Sequence, residues 1–207
     1  MTDATHTIDS IAALEARYGA VNPNSLRKEL DRIHPLYRPY IEASPFMALA
    51  TSGPQGMDVT PRGDPAGFVQ VEDEKTVLIP DRRGNNRLDS LRNLIADPRI
   101  ALLFLVPGLG ETLRVNGRAS ISIDPALLAR FTVAGKLPQS VIRVSVEAVY
   151  FQCARALLRS KLWDPALHVK PGTLPSPGRI LQALIEEGFD GETYDRETPA
   201  RLAANLY

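Results

Sequence analysis

The sequence carries one cysteine, Cys153, and three histidines, His6, His34 and His168, among 207 residues. A single thiol excludes an internal disulfide framework and fits a reducing compartment. Cys153 follows an apolar strand pattern with no histidine near it in sequence, so it reads as a buried, inert side chain. Cysteine and histidines show no metal-ligand spacing, and no catalytic metal is expected. Net charge is also lacking, since Lys plus Arg and Asp plus Glu number 24 each. With no global field and no interleaving of aromatic with basic residues, a nucleic-acid partner is not expected, and any anion site must be local. No apolar run approaches the roughly 20 residues of a membrane-spanning helix. The longest, Ile100 to Pro107, suits a buried strand. The first residues have neither a basic region nor an apolar run, so a cytoplasmic protein without a membrane partner is expected. There is no G-x-S-x-G nucleophile elbow, and Gly108-Leu109-Gly110 lacks the third glycine of a dinucleotide fingerprint. No protein nucleophile or general base stands out, which favours a cofactor that brings its own chemistry.

What is present divides by period. Ser10 to Ile33 has helical spacing, broken at Gly19 and Pro23. From Phe46 the period shortens to two. Phe46 to Thr60 reads as a hairpin turning at Gly53-Pro54-Gln55-Gly56. Further strands are expected at Gly67 to Val71, Thr76 to Pro80, Ile100 to Val106, Thr112 to Ile123 and Val141 to Phe151. One helix, with Leu88, Leu91, Leu94 and Ile95 on one face, stands among them. Asp124-Pro125 and Ser176-Pro177 start two more, the latter stopping at Gly188, and the tail from Phe189 reads as helical. Strands in the middle and helices at the ends, without regular βαβ alternation, predict a mainly β (α+β) barrel.

Three clusters could carry chemistry. The first, Ile79-Pro80-Asp81-Arg82-Arg83-Gly84-Asn85-Asn86-Arg87, joins a strand to the Leu88 helix. Backbone N–H groups and the positive dipole end at a helix start, with arginines added, make a phosphate site. Seven arginines lie between Arg82 and Arg118 against three acids, and no lysine, which suits bidentate contact with phosphate oxygens. The same segment reads equally well as a solvated turn with Asn86 as helix cap. The second cluster, Thr60 to Pro65, puts Arg62 near a strand end beside Gly63, where it could reach a phosphate or pair locally with Asp64. The third, Arg155 to Pro165, holds the lone tryptophan, Trp163, among cations. That indole is either a packing anchor or a stacking platform.

These elements together resemble the pyridoxamine 5′-phosphate oxidase family of split barrels, and especially a bacterial oxidase-related subgroup. The resemblance rests on Thr60-Pro-Arg-Gly-Asp-Pro65, Asp81-Arg-Arg-Gly-Asn-Asn-Arg87, Glu111-Thr-Leu-Arg-Val-Asn-Gly-Arg-Ala119 and Arg159-Ser-Lys-Leu-Trp163. It implies a six-stranded antiparallel split β-barrel over residues 46–165. A helical extension, residues 1–45, would pack on it, and another would follow over residues 166–207. It further implies a homodimer with FMN at the subunit interface and a small-molecule substrate. In that picture Asn85, Asn86 and Arg87 hold the phosphate, Ile79, Pro80 and Asp81 present backbone to the ring, and Arg62 approaches the cofactor. The partner subunit supplies Arg114 or the segment from Lys161 to Trp163. The implied activity is hydride transfer at the flavin, with storage or sensing of flavin or heme as the alternative; a deazaflavin could also stand in. The lysine that follows the strand arginine in the vitamin enzymes is missing after Arg62, so the vitamin substrate is not expected.

Overall fold

Period-two burial sets the strands. In β1 (Phe46–Gly53) Met47, Leu49 and Thr51 point into the core while Ala48 and Ala50 lie half-buried on the other face. The computed structural model describes residues 6–185 and 187–207, so the first five residues of the expected N-terminal extension lie outside the described residues. Six further strands follow: β2 (Gly56–Gly63), β3 (Gln70–Asp73), β4 (Thr76–Asp81), β5 (Arg99–Leu105), β6 (Thr112–Ser122) and β7 (Ser140–Gln152). All neighbours pair antiparallel in one sheet of order β2-β1-β5-β6-β7-β4-β3. Among the described residues the strands number seven, as the residue periodicity has it, where the family resemblance implies six; the short β3, paired only with β4, is the edge strand opposite β2.

β4 reads as an unbroken apolar run because both its faces are covered. Val77 and Ile79 enter the main core with Val115, Ile142 and Val144, while Leu78 packs with Leu127, Phe131 and Val141 beneath α5 (Pro125–Ala129). Burying each such side chain contributes about 1.5–3 kcal/mol, so this strand is fixed from two sides.

Helices α1 (Ile11–Tyr18) and α2 (Pro23–Arg27) bury no residue. The helical reading of Ser10 to Ile33 fails after Arg27: Leu30 forms an isolated β-bridge with Val149, and Ile33 enters the core. The core also takes in Ile41 of α3 (Arg38–Glu42), so the segment ahead of β1 shares it. Helix α4 (Asp89–Ala96) packs on β1, β2 and β6. It is held by a buried hydrogen bond from Asn93 Nδ2 to Thr51 Oγ1, 3.1 Å, and by Ser90 Oγ donating to Asp58 Oδ2, 3.1 Å. Cys153 follows β7 and is exposed, not buried as expected, because the strand's alternation has already ended at Gln152. Helix α6 (Arg155–Ser160) follows. Helices α7 (Pro177–Leu184) and α8 (Gly191–Ala204) cross where Gly178 and Gly191 bring their backbones together. α7 stops at Ile185, before Gly188. Among the described residues no helix is long and apolar enough to cross a membrane.

Gly117 sits at the bulge where β6 shifts register against β7, and a Cβ there would lie 2.1 Å from the Ser145 carbonyl oxygen. Gly117→Ala should therefore destabilise the protein by about 2–3 kcal/mol. Gly84→Ala, with nothing within 4 Å of its new Cβ, should change stability by less than about 0.5 kcal/mol. Urea unfolding of both variants checks the contrast; equal midpoints would refute it.

Candidate functional site

The ladder leaves the sheet open between β2 and the β3-β4 edge, yet side chains span the gap. At its far end β2 carries Arg62, and Asp64 follows one residue after the strand; β4 ends in Asp81, followed by Arg82. They pair crosswise. Arg62 Nη2 lies 3.5 Å from Asp81 Oδ1, and Arg82 Nε donates to Asp64 Oδ2 at 3.0 Å. The second pair is well tied down. The Asp64 side chain is 4% exposed, Arg82 Nη1 donates to the Phe131 carbonyl at 2.6 Å, and the Tyr207 hydroxyl donates to Asp64 Oδ1 at 2.6 Å. That bond to Asp64 raises the Tyr207 hydroxyl above its ordinary range. The first pair is slack, at the outer limit of a hydrogen bond. Burial pushes the Asp81 carboxyl above the usual carboxylate range, and Arg62 offsets only part of this.

A cavity of about 1130 Å³ opens at this seam. Its walls come from β2, the end of β4, the loop 82–88, the start of α4, and Gln139 and Ser140 at the head of β7. Five arginines (Arg62, Arg82, Arg83, Arg87, Arg92) and three aspartates (Asp58, Asp81, Asp89) line it, so the local balance is positive in a neutral chain. Arg87 pairs with Asp89 at 2.8 Å. Among the described residues Arg83 and Arg92 form no ion pair. Two buried polar atoms in the wall, Arg62 Nε and Ser140 Oγ, have no hydrogen-bond partner. Unsatisfied buried groups are costly, and two on one cavity wall are suited to a bound polar ligand.

The loop's backbone also departs from the ordinary. Asn86 and Leu88 take left-handed conformations, φ 58° and 60°, and Leu88 occupies the N-cap position of α4 without giving a side-chain cap. Asn86 is thus not the helix cap. The first turn of α4 lacks a capping side chain, and its residues Asp89, Ser90 and Leu91 line the cavity where the arginines gather, the arrangement that favours an anion.

Of the expected site residues, the chain brings Arg62, Pro80, Asp81, Asn85, Asn86 and Arg87 to this one cavity. Ile79 is adjacent, but its side chain is fully buried in the core, leaving only backbone to offer. Beyond Leu78, β4 is paired on its β7 side alone. Arg114, Lys161 and Trp163 do not line the cavity of the same chain. Arg114 donates to the Tyr150 hydroxyl at 2.9 Å, and Trp163 Nε1 donates to the Leu109 carbonyl at 2.7 Å. Lys161 is exposed, in a left-handed position that ends α6. Sequence reasoning missed Ser140 and Tyr207. Ser140 reaches the site only through the β4-β7 register that sets it against Asp81; Tyr207 is 143 residues from its partner Asp64. Neither has a local signal.

A model of the family described as pyridoxamine 5′-phosphate oxidase matches residues 33–153, the core domain from Ile33 to the end of β7. No curated protein matches the sequence. Solved structures that resemble the chain include a variant of HupZ from Group A Streptococcus. It is 17% identical, with TM-score 0.49, over 58% of this chain and 99% of that one. General Stress Protein 26 from Bacillus anthracis is 14% identical, with TM-score 0.42, over 54% and 87%. A protein of Syntrophomonas wolfei described as FMN-binding is 13% identical, with TM-score 0.43, over 55% and 82%.

Ser140 Oγ is the simplest of the unsatisfied atoms to remove. Without ligand, Ser140→Ala should raise stability by about 1 kcal/mol, because it deletes a buried hydroxyl that has no partner. Thermal or urea unfolding reads this directly. A loss of stability would mean that the hydroxyl is bonded.

Proposed function

The chain belongs to the pyridoxamine 5′-phosphate oxidase family, and from that footing we propose that it binds FMN in the seam cavity and acts as an oxidoreductase on a small organic substrate. One observation carries this reading: unpartnered buried donors and uncapped helix N–H groups gather with five arginines around a single cavity. Its volume, about 1130 Å³, lies just above the roughly 300–1,000 Å³ range of small-molecule sites, room enough for a cofactor together with a small substrate.

The residues present fit a flat ring carrying a phosphate. Arg83, Arg87, Asn85, Asn86 and the α4 start would hold the phosphate, by charge and by backbone N–H. The edge of β4 beyond Leu78 and Arg62 would meet the polar side of the ring, with Arg62 Nε and Ser140 Oγ gaining the partners they lack. Phe68, Leu91 and Ile121 supply apolar wall. When bound, FMN supplies two-electron chemistry, exchanging a hydride with substrate. The protein's own contribution is orientation, exclusion of water and a positive field from Arg62, Arg83 and Arg87 that favours negative charge in the cavity. The absence of a lysine after Arg62 supports a substrate other than the B6 vitamer. Arg114, Lys161 and Trp163 lie outside this cavity, which accords with a homodimer in which a second copy supplies Arg114 or the 161–163 segment.

Purified protein mixed with FMN should retain it through gel filtration at one per subunit, read by the flavin's visible absorption. Arg87→Ala should weaken that binding by about tenfold or more, through the loss of a charge-assisted contact, while the circular dichroism stays unchanged. A protein that ignores FMN would end this reading, and wild-type affinity in the variant would remove Arg87 from the phosphate site.

A further inference from the structure

The two ion pairs at the seam differ in a way that matters for binding. Arg82 and Asp64 are each held by a further partner: Arg82 by the Phe131 carbonyl, and Asp64 by the Tyr207 hydroxyl. Arg62 and Asp81 touch at one distance only, 3.5 Å, and Arg62 keeps a buried Nε with no partner. Arg62 Nη1 spends its remaining bonds locally, on Thr60 Oγ1 at 3.1 Å and the Pro61 carbonyl at 3.3 Å. Its guanidinium is thus only partly committed to the carboxylate, and both groups line the cavity.

We propose that an anionic ligand entering the cavity draws Arg62 away from Asp81, and that Asp81 takes up a proton in exchange. The proposal rests on the FMN reading above. The chemistry balances simply: the guanidinium stays charged throughout, the ligand's negative charge replaces that of the carboxylate as its partner, and one proton from solvent neutralises the carboxylate left behind. A buried carboxylate stripped of its one counter-charge is far costlier than a protonated one. The surroundings offer no substitute. On β2 the facing charge is Arg62. On Asp81's own side Arg82 is turned to Asp64, Arg83 lines the cavity without acting on the Asp81 carboxyl, and the neighbours at the head of β7, Gln139 and Ser140, are neutral. Burial already disfavours the Asp81 charge, and among the described residues Arg62 is the single charged group that counteracts this.

The sign follows from linkage. A carboxyl whose pKa is higher in the complex than in the free protein makes binding weaken as pH rises between the two values. Asp81→Asn, nearly isosteric and unable to ionise, removes that dependence. FMN titrations followed by flavin fluorescence, from the lowest pH at which the fold holds up to neutrality and above, should show wild-type and variant affinities converging as pH falls. The ratio of their dissociation constants should then grow by up to about tenfold per pH unit before levelling. Taking the ratio cancels the titration of the FMN phosphate itself. Carboxyl-carbon NMR of the wild type, free and FMN-loaded, reads the same event without the variant. The Asp81 resonance should titrate at least about one pH unit higher in the complex. Tight FMN binding with a constant affinity ratio, or with coincident Asp81 titrations, would overturn the proton exchange while leaving the cofactor intact. Failure of FMN to bind at any pH would overturn both.

Discussion

The structure depends on a seam that the backbone does not close. Six ladders join seven strands in one sheet, and between β2 and the β3-β4 edge the connection passes to side chains, Arg62 with Asp81 and Arg82 with Asp64. A backbone ladder across that gap would have filled it with hydrogen bonds at about 4.8 Å strand spacing. Longer side-chain bridges hold the edges further apart, and the cavity occupies the space. Three of the four charges that tie the barrel together, Arg62, Asp81 and Arg82, therefore double as walls of its site, so binding there and the stability of the seam are coupled.

That coupling works only because the rest of the barrel is rigid. β4 is packed on both faces, β6 and β7 share the longest ladder, and α4 is pinned to β1 and β2 by Asn93 and Ser90. With α4 anchored at its body and β4 fixed at its end, the loop 82–88 must turn sharply between them. Leu88 absorbs the turn in a left-handed conformation that costs a bulky residue about 1–3 kcal/mol. A side-chain cap at that position would relieve the geometry but would also occupy the first-turn N–H groups of α4. An uncapped, strained start leaves them free.

Much of this could be read from the residues. The strand boundaries followed the period-two pattern to within a few residues, because each face of β1, β5 and β6 meets either core or solvent and the alternation records which. The arginine loop at a helix start was visible for the same reason that it is useful: its charges and its Asn and Gly residues are consecutive. What stayed hidden is what depends on register and on distance along the chain. Asp64 stands two residues from Arg62, and a local pair was one of the two readings open; the fold instead sends each partner across the seam, Arg62 to Asp81 and Asp64 to Arg82. Ser140 becomes a wall residue through pairing with Asp81. Cys153 looked buried because the apolar run before it does not announce where the alternation stops.

The crossed arrangement also explains why the two arginines are not equivalent, although both lie at the seam. Arg82 is tied on three sides: the Asp64 carboxylate and the Phe131 carbonyl accept its hydrogen bonds, and the Tyr207 ring lies 5.5 Å from its guanidinium. Releasing it would strand Asp64, whose side chain is 4% exposed, at a cost of several kcal/mol. Arg62 has one long carboxylate contact, two local bonds to Thr60 and Pro61, and an idle Nε, so redirecting its outer nitrogen gives up only the long contact, and the carboxylate it leaves can take up a proton. A site built on two firmly held pairs would be a rigid clasp with little to offer a ligand, and one built on two slack pairs would leave the barrel's open side unsupported. One of each divides the labour, with Arg82 holding the seam while Arg62 remains available to whatever enters it.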